Sequence, residues 1–143
     1  MSARQDPYGS FNFVVEIDGI TITGFTEVSG LDAEVEVVEY REGADPSSSR
    51  KLPGLHKYSN ITLKRGITGD LSLWNWMQSV LSGKPDRRNM SIILLNDSRE
   101  PVARWNVVRA WPTKYQAPAL TAAASEVGVE LLELTHEGLV RAQ

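Results

Sequence analysis

The chain has 143 residues, with 15 Lys and Arg against 18 Asp and Glu, a net charge of −3, and no cysteine. That length fits a single domain with its own core. Zero Cys removes disulfides, thiolate nucleophiles and cysteine-based zinc sites, and mild acidity gives no default attraction to nucleic acid or anionic lipid.

The longest purely apolar run is Ile92–Leu95, far short of a membrane span. Residues Met1–Pro7 contain no apolar h-region, so a secretory signal is not expected and the chain is expected to be made in the cytoplasm. The domain is expected over residues 6–140, with tails at 1–5 and 141–143.

The first predicted element is a hairpin. Two β-branched and aromatic runs flank Asp18-Gly19, a dipeptide suited to a type I′ turn because both central residues need positive φ. Phe11, Phe13, Val15 and Ile17 alternate to one face of the first strand, and Ile20 and Ile22 continue it on the second. Ala33–Arg41 reads as a longer strand. Val35 and Val37 share one face, then Val38 and Tyr40 take the other, a slip that predicts a bulge or a strand covered on both sides.

Residues 43–57 read as a long loop, Gly-Ala-Asp-Pro-Ser-Ser-Ser-Arg-Lys-Leu-Pro-Gly-Leu-His-Lys. Its length is more than a compact domain usually leaves unstructured without a functional reason. It follows a strand that carries Glu34, Glu36 and Glu39 and ends near Glu42. Tyr58–Arg65 is the next strand, with Ile61 and Leu63 inward.

One helix is predicted, over about residues 70–82. Asp70 is placed as N-cap and Gly83 as the C′ stop. Seven of the eleven residues Leu71–Leu81 are apolar and none is charged, so burial on more than one side is expected. Ser91–Leu95 and Val102–Val108 form a further hairpin around the polar turn Asn96–Pro101. The last strand, Val127–Leu134, slips phase at Leu131-Leu132.

Catalytic patterns are scarce. His56 and His136 show no metal-ligand spacing, and both are read as structural. There is no Gly-x-Ser-x-Gly elbow, no phosphate-binding Gly-rich loop, and the serines at 47–49 lie in the long loop. Glu34/Glu36 and Glu130/Glu133 are candidate carboxylate pairs for acid–base chemistry, but alternating acids on a strand are more simply its solvated face. Lys64-Arg65 and Arg87-Arg88, near four tryptophans, could stack nucleic acid; net acidity favours the tryptophans as core or interface anchors. The chain is read as no enzyme, with no catalytic, cofactor-binding or metal-binding residue.

A whole-chain pattern remains. It runs Asp6-Pro-Tyr8, Phe11-x-Phe13, Val15-Glu-Ile-Asp-Gly19, Gly24-Phe-Thr-Glu-Val-Ser-Gly-Leu31 and Glu39-Tyr-Arg-Glu-Gly43. It continues through Arg50-Lys-Leu-Pro-Gly-Leu-His-Lys-Tyr58, Asn60-Ile-Thr-Leu-Lys-Arg-Gly66, Leu73-Trp-x-Trp76 and Val102-Ala-Arg-Trp105, and ends on Ala110-Trp-Pro-x-Lys-Tyr115 and His136-Glu-Gly-Leu139. In this order the segments resemble the tube proteins of contractile phage tails and related injection systems, whose fold the type VI secretion tube protein shares. The segment Asp45–Ser49 departs from the pattern, as does Met90, where a small residue is usual.

The resemblance implies a mainly β fold, a small β-barrel of two antiparallel sheets with one flanking helix. It implies hexameric rings that stack into a hollow tube inside a contractile sheath. The further partners it implies are baseplate and spike hub proteins, a tail terminator or cap, and cargo in the lumen, either DNA or effector protein. It implies no cofactor and no membrane binding by the subunit, which would be made in a bacterial cytoplasm and built into a virion tail or injection particle.

A ring needs contacts that close by rotation, and stacking adds an axial interface. The long loop, the phase slips and the over-apolar helix are features that such contacts would use. The expected inter-subunit loop residues are Arg50, Lys51, Leu52, Pro53, Gly54, Leu55, Lys57 and Tyr58. Their expected partners on a neighbour are Glu34, Glu36, Glu39 and Glu42, with the loop mobile in the free subunit. The expected core or interface residues of the helix are Leu71, Trp74, Trp76, Met77 and Leu81. The alternatives are a monomeric ligand-binding barrel, a hydrolase, and a minor tube-initiator paralogue at the baseplate.

Overall fold

The computed structural model describes residues 6–10, 12–41, 43, 49–123 and 125–143. Phe11, Glu42 and the segment 44–48 therefore lie outside the described residues. The chain forms β1 (Phe13–Ile17), β2 (Ile20–Ile22), β3 (Phe25–Ser29), β4 (Ala33–Tyr40), β5 (Arg50–Tyr58), β6 (Ile61–Gly66), α1 (Ser72–Leu81), β7 (Arg88–Leu95), β8 (Pro101–Gln116), β9 (Val129–Thr135) and β10 (Gly138–Arg141).

The first hairpin forms as its turn dictates. Asp18 and Gly19 take φ of 52° and 79°, the two positive values of a type I′ turn, and Ile17 pairs with Ile20. Val15 and Ile17 are buried, but Ile20 is exposed, because the three-residue β2 is the outermost strand of its sheet.

Eight strands make one antiparallel sheet in the order β2-β1-β7-β8-β9-β6-β3, with β10 also on β8. The sixteen-residue β8 serves both halves. Residues 101–110 pair with β7, and residues 111–116 pair with β9. Beside it β9 and β10 act as one strand interrupted at His136-Glu137, since Thr135 faces Trp111 and Gly138 faces Val108. Opposite the interruption Arg109 takes φ of 51°, and its N–H donates to Asn89 Oδ1 at 3.0 Å. A second register break falls between Pro112 and Lys114. Two such breaks bend β8, which brings the inward faces of β1, β7, β6 and β9 onto one core. That core holds Val15, Ile17, Ile61, Leu63, Met90, Ile92, Leu132 and Leu134.

The expected barrel does not close. Its end strands β2 and β3 share no hydrogen-bond ladder. β3 is short and breaks register at Thr26, and the space between it and β1–β7 is an apolar groove of about 330 Å³. Side chains such as Phe13, Val28 and Leu31 line that gap in place of a strand pair.

Helix α1 covers the core with Leu73 and Trp76. Asp70, predicted as the N-cap, stands one position before the observed one. Leu71 is the N-cap by backbone, while Asp70 Oδ1 accepts the Ser72 N–H at 2.9 Å. The C-terminus is a Schellman arrangement: Lys84 N–H donates to Ser79 O and Gly83 N–H to Val80 O, both at 3.0 Å, with Gly83 at φ 85°.

The expected phase slip in the last strand is not a bulge in β9. β9 pairs with β6 without a break from Leu134 to Val129. Its buried face is Glu130, Leu132 and Leu134, so the apparent slip is a charged residue standing in the core phase.

Candidate assembly surfaces

The predicted long loop is instead half of a strand pair. β4 and β5 form a two-stranded sheet of their own, an arm apart from the eight-stranded body. Pro53, Gly54 and three cations obscure the strand pattern in Arg50–Tyr58, because Pro and Gly are normally depleted from ladders. Pro53 and Gly54 sit at or beside the one irregular point. Val35 faces His56 and Val37 faces Pro53, so Gly54 and Leu55 together oppose Glu36. The bulge lies opposite Glu36 with its extra residue in β5. Val37 and Val38 pair in unbroken register, so the slip read there reflects apolar side chains on both faces of an exposed strand.

This register sets the charged residues of the two strands beside one another. Lys57 stands opposite Glu34, Lys51 opposite Glu39 and Arg50 opposite Tyr40 within the same arm. Cations and carboxylates expected to meet across subunits are therefore cross-strand neighbours, a favourable arrangement on a solvated ladder. Among the described residues no ion pair within 4 Å joins them. Every residue of β4 is exposed, including Val35, Val37, Val38 and Tyr40, as are Leu52 and Leu55. Gly54 and Tyr58 are partly covered. An isolated hairpin is marginal in water, and this one shows apolar side chains on both faces.

Helix α1 is the second unpartnered surface. Trp76 is buried and Met77 packs against the core. Leu71 and Leu81 are about 60% exposed and Trp74 is 40% exposed. With Gln78 they fall at spacings of three and four, one stripe along the helix. Trp74 meets Tyr115 edge-on at 5.2 Å between centroids, which fixes the indole while leaving its outer side in water. The first turn has no acid and the last turn no base.

Beneath the helix lies a polar cluster that the sequence patterns missed. Arg65 and Glu130 side chains are 5% and 4% exposed and meet at 2.8 Å. Arg65 donates to Glu130 Oε1 from Nε and Nη2, at 3.1 and 2.8 Å, and from Nη1 to Asp70 Oδ2 at 3.0 Å. Tyr115 OH donates to Glu130 Oε2 at 2.7 Å. The hydrogen bond to Glu130 and burial raise the Tyr115 phenol above 10.0. The Ser72 backbone N–H, aided by the Ser72 hydroxyl and Arg65, holds the Asp70 carboxyl below 3.8 despite partial desolvation. The available signal was phase: Arg65 continues Ile61 and Leu63, and Glu130 precedes Leu132 and Leu134 at period two.

The candidate catalytic groups do not converge. Glu130 is neutralised by Arg65, while Glu133 accepts from Asn60 at 3.5 Å on the other face of β9. Glu34 and Glu36 are exposed on the arm. His136 bridges Ser59 O and Gly138 O at 3.1 and 3.2 Å, and His56 is exposed on β5. Arg87 and Arg88 lie over Trp111 and Trp76, at 6.0 and 4.9 Å from the ring centroids. Those indoles are anchors already engaged. Among the described residues no three metal-ligating side chains gather, and no helix is long and apolar enough to cross a membrane.

The model of the T4-like virus tail tube protein gp19 family matches residues 9–140. The chain belongs to that family. The span matched to this tail tube family takes in both arm and helix. Solved structures agree. A chain of the extracellular contractile injection system PVC sheath-tube complex in its extended state is 30% identical, with TM-score 0.86, covering 94% of this chain and 90% of that one. A chain of the anti-feeding prophage tube-terminating cap is 28% identical at TM-score 0.90, covering 99% and 94%. Hcp1 from Flavobacterium johnsoniae, at 13% identity and TM-score 0.58 over 92% and 95%, shares the fold. No curated protein sequence matches the chain. The tail tube family is a family of structural proteins, and the resemblance drawn from the sequence segments is borne out.

Proposed function

We propose that this tail tube protein is the inner-tube subunit of a contractile tail or injection particle. Its copies form hexameric rings that stack into a hollow tube. Its role is structural rather than catalytic, and it is made in a bacterial cytoplasm and built into the particle. The observation that carries this reading is the arm: a two-stranded sheet with apolar side chains on both faces and, among the described residues, no partner strand in the eight-stranded sheet. Such an element is stabilised only by what it meets in an assembly.

The relatives come from sheath-tube, cap and baseplate structures of injection systems, which supports a sheath around the tube and a baseplate and cap at its ends. The net charge of −3 suits a conduit, since an acidic wall repels nucleic acid instead of holding it through phosphate contacts. DNA and effector protein are both admissible cargo. The similarity to a chain of the terminating-cap structure keeps a second reading, a minor paralogue at one end of the tube.

The purified chain is expected to give rings or hollow rods by negative-stain microscopy. Deleting Arg50–Leu55 is expected to abolish them and leave a folded monomer, because among the described residues β4 and β5 pair only with each other. Normal rods from the deletion variant would overturn the arm's role, and a main-tube subunit would further differ from a minor paralogue in forming long rods alone.

A further inference from the structure

We infer that the arm of one copy lies along the α1 stripe of another copy. This names the partner of the arm and rests on the tube-subunit reading. Strand register sorts the arm into two unlike faces. One carries Val35 and Val37 beside His56 and Pro53, and meets its first charges only at the far end, at Glu39 and Lys51. The other interleaves Val38, Tyr40 and Leu52 with four charges along its length, Glu34, Glu36, Arg50 and Lys57, and so tolerates water better than the first.

The α1 stripe is the matching surface. It is uncharged along its whole length and exposes Leu71, Trp74 and Leu81. Both surfaces stay exposed in the single chain, so the arm does not fold back on its own helix. Their dimensions agree: the eight residues of β4 extend about 26 Å at ~3.3 Å each. The ten residues of α1 extend about 15 Å at ~1.5 Å each. The arm can cover the full stripe with its base still on its own body.

The contact joins unlike patches, so each copy offers one arm and one helix and every docking leaves one of each open. That is the heterologous geometry from which closed rings and stacks are built. One arm's face is also small beside the ~800 Å² per partner of a stable pair. The docking therefore holds through repetition around an assembly and not as an isolated dimer.

The absence of cysteine makes a direct test. The double variant Val37→Cys/Gln78→Cys is assembled, oxidised and run without reductant, beside Glu36→Cys/Gln78→Cys, whose arm thiol lies on the opposite face. Microscopy of the same samples records rods. The expected result is rods, with a ladder of linked multimers at least tenfold stronger for the Val37 pair. Rods with no ladder, or with equal ladders, overturn the docking and leave the tube reading standing. The docking is likewise overturned if Gln78→Cys in rods reacts with maleimide as fast as in free subunits, which assigns the stripe to a different protein. A ladder without rods supports the docking and overturns the tube reading, and neither ladder nor rods overturns both.

Discussion

Replacing Arg65 by Met removes the cation from a site whose side chain is 5% exposed and keeps most of its apolar stem. Glu130 then loses both guanidinium donors and retains only the Tyr115 hydroxyl at 2.7 Å. Stranding a buried charge in this way costs about 3–5 kcal/mol, a large share of the ~5–15 kcal/mol that stabilises a domain. At roughly 3 °C per kcal/mol for a chain of this length, the midpoint falls by about 9–15 °C.

The double variant Arg65→Met/Glu130→Leu removes both charges, so their desolvation penalty disappears with their attraction. It is expected to lose less than about 2 kcal/mol, giving a coupling energy of at least ~2 kcal/mol in the double-mutant cycle. Urea unfolding of the isolated subunit, followed by tryptophan fluorescence, measures all four corners. Additive single losses, or a loss below about 1 kcal/mol for Arg65→Met, would mean that water reaches the pair and that neither charge depends on the other.

Two more predictions concern the body. The Asp70 carboxyl titrates below its ordinary value of 3.8 in the folded chain, so its contribution is complete above that value and lost as pH falls through the lower folded one. Asp70→Asn is therefore expected to melt lower than the parent at pH 7, by the equivalent of about 0.5–1 kcal/mol, since the carboxylate is half-exposed. The gap between the melting curves should close below pH ~3.8; a constant gap down to pH 2.5 would contradict this. Gly30 has φ of 89° and a Cβ there would run into the Asn60 carbonyl, whereas at Gly19, with φ of 79°, it would meet open space. Gly30→Ala is expected to cost at least ~2 kcal/mol and Gly19→Ala about 1 kcal/mol, and equal shifts in urea midpoint would show that the backbone yields at Gly30.

Much of the body was legible because local chemistry and tertiary context agree there. Asp18-Gly19 fixes a turn whose dihedrals leave little choice, and the 91–95/102–108 hairpin is marked by its polar turn between two apolar runs. The helix ends where Gly83 supplies the left-handed residue. Failures occur where one local rule is overridden by a distant partner. Glu130 reads as solvated until Arg65, 65 positions away, brings a guanidinium to it. Arg50–Tyr58 reads as a loop because Pro53 and Gly54 break the strand pattern, and only pairing with β4 shows that Gly54 is part of a bulge and Pro53 borders it. Closure of the sheet depends on how far β8 bends, which no single segment encodes. At the candidate surfaces, the uncharged helix and the two faces of β4 were visible from sequence; the residues of β5 that share those faces were not, since they depend on register.

The margins at β2 and β3 bear on when subunits of the proposed tube join. β2 is three residues long, and β3 breaks register at Thr26 and sets Glu27 against Lys64 at 2.8 Å. Short, kinked and charged borders are how β proteins discourage indiscriminate zipping. Two newly made subunits that collide therefore gain few bonds along either border, and a pairwise encounter is brief. In the proposed tube, addition to a growing end, where several contacts form at once, is favoured over random joining. Such borders slow spontaneous nucleation there, so rod formation by the purified chain is expected to rise steeply with concentration.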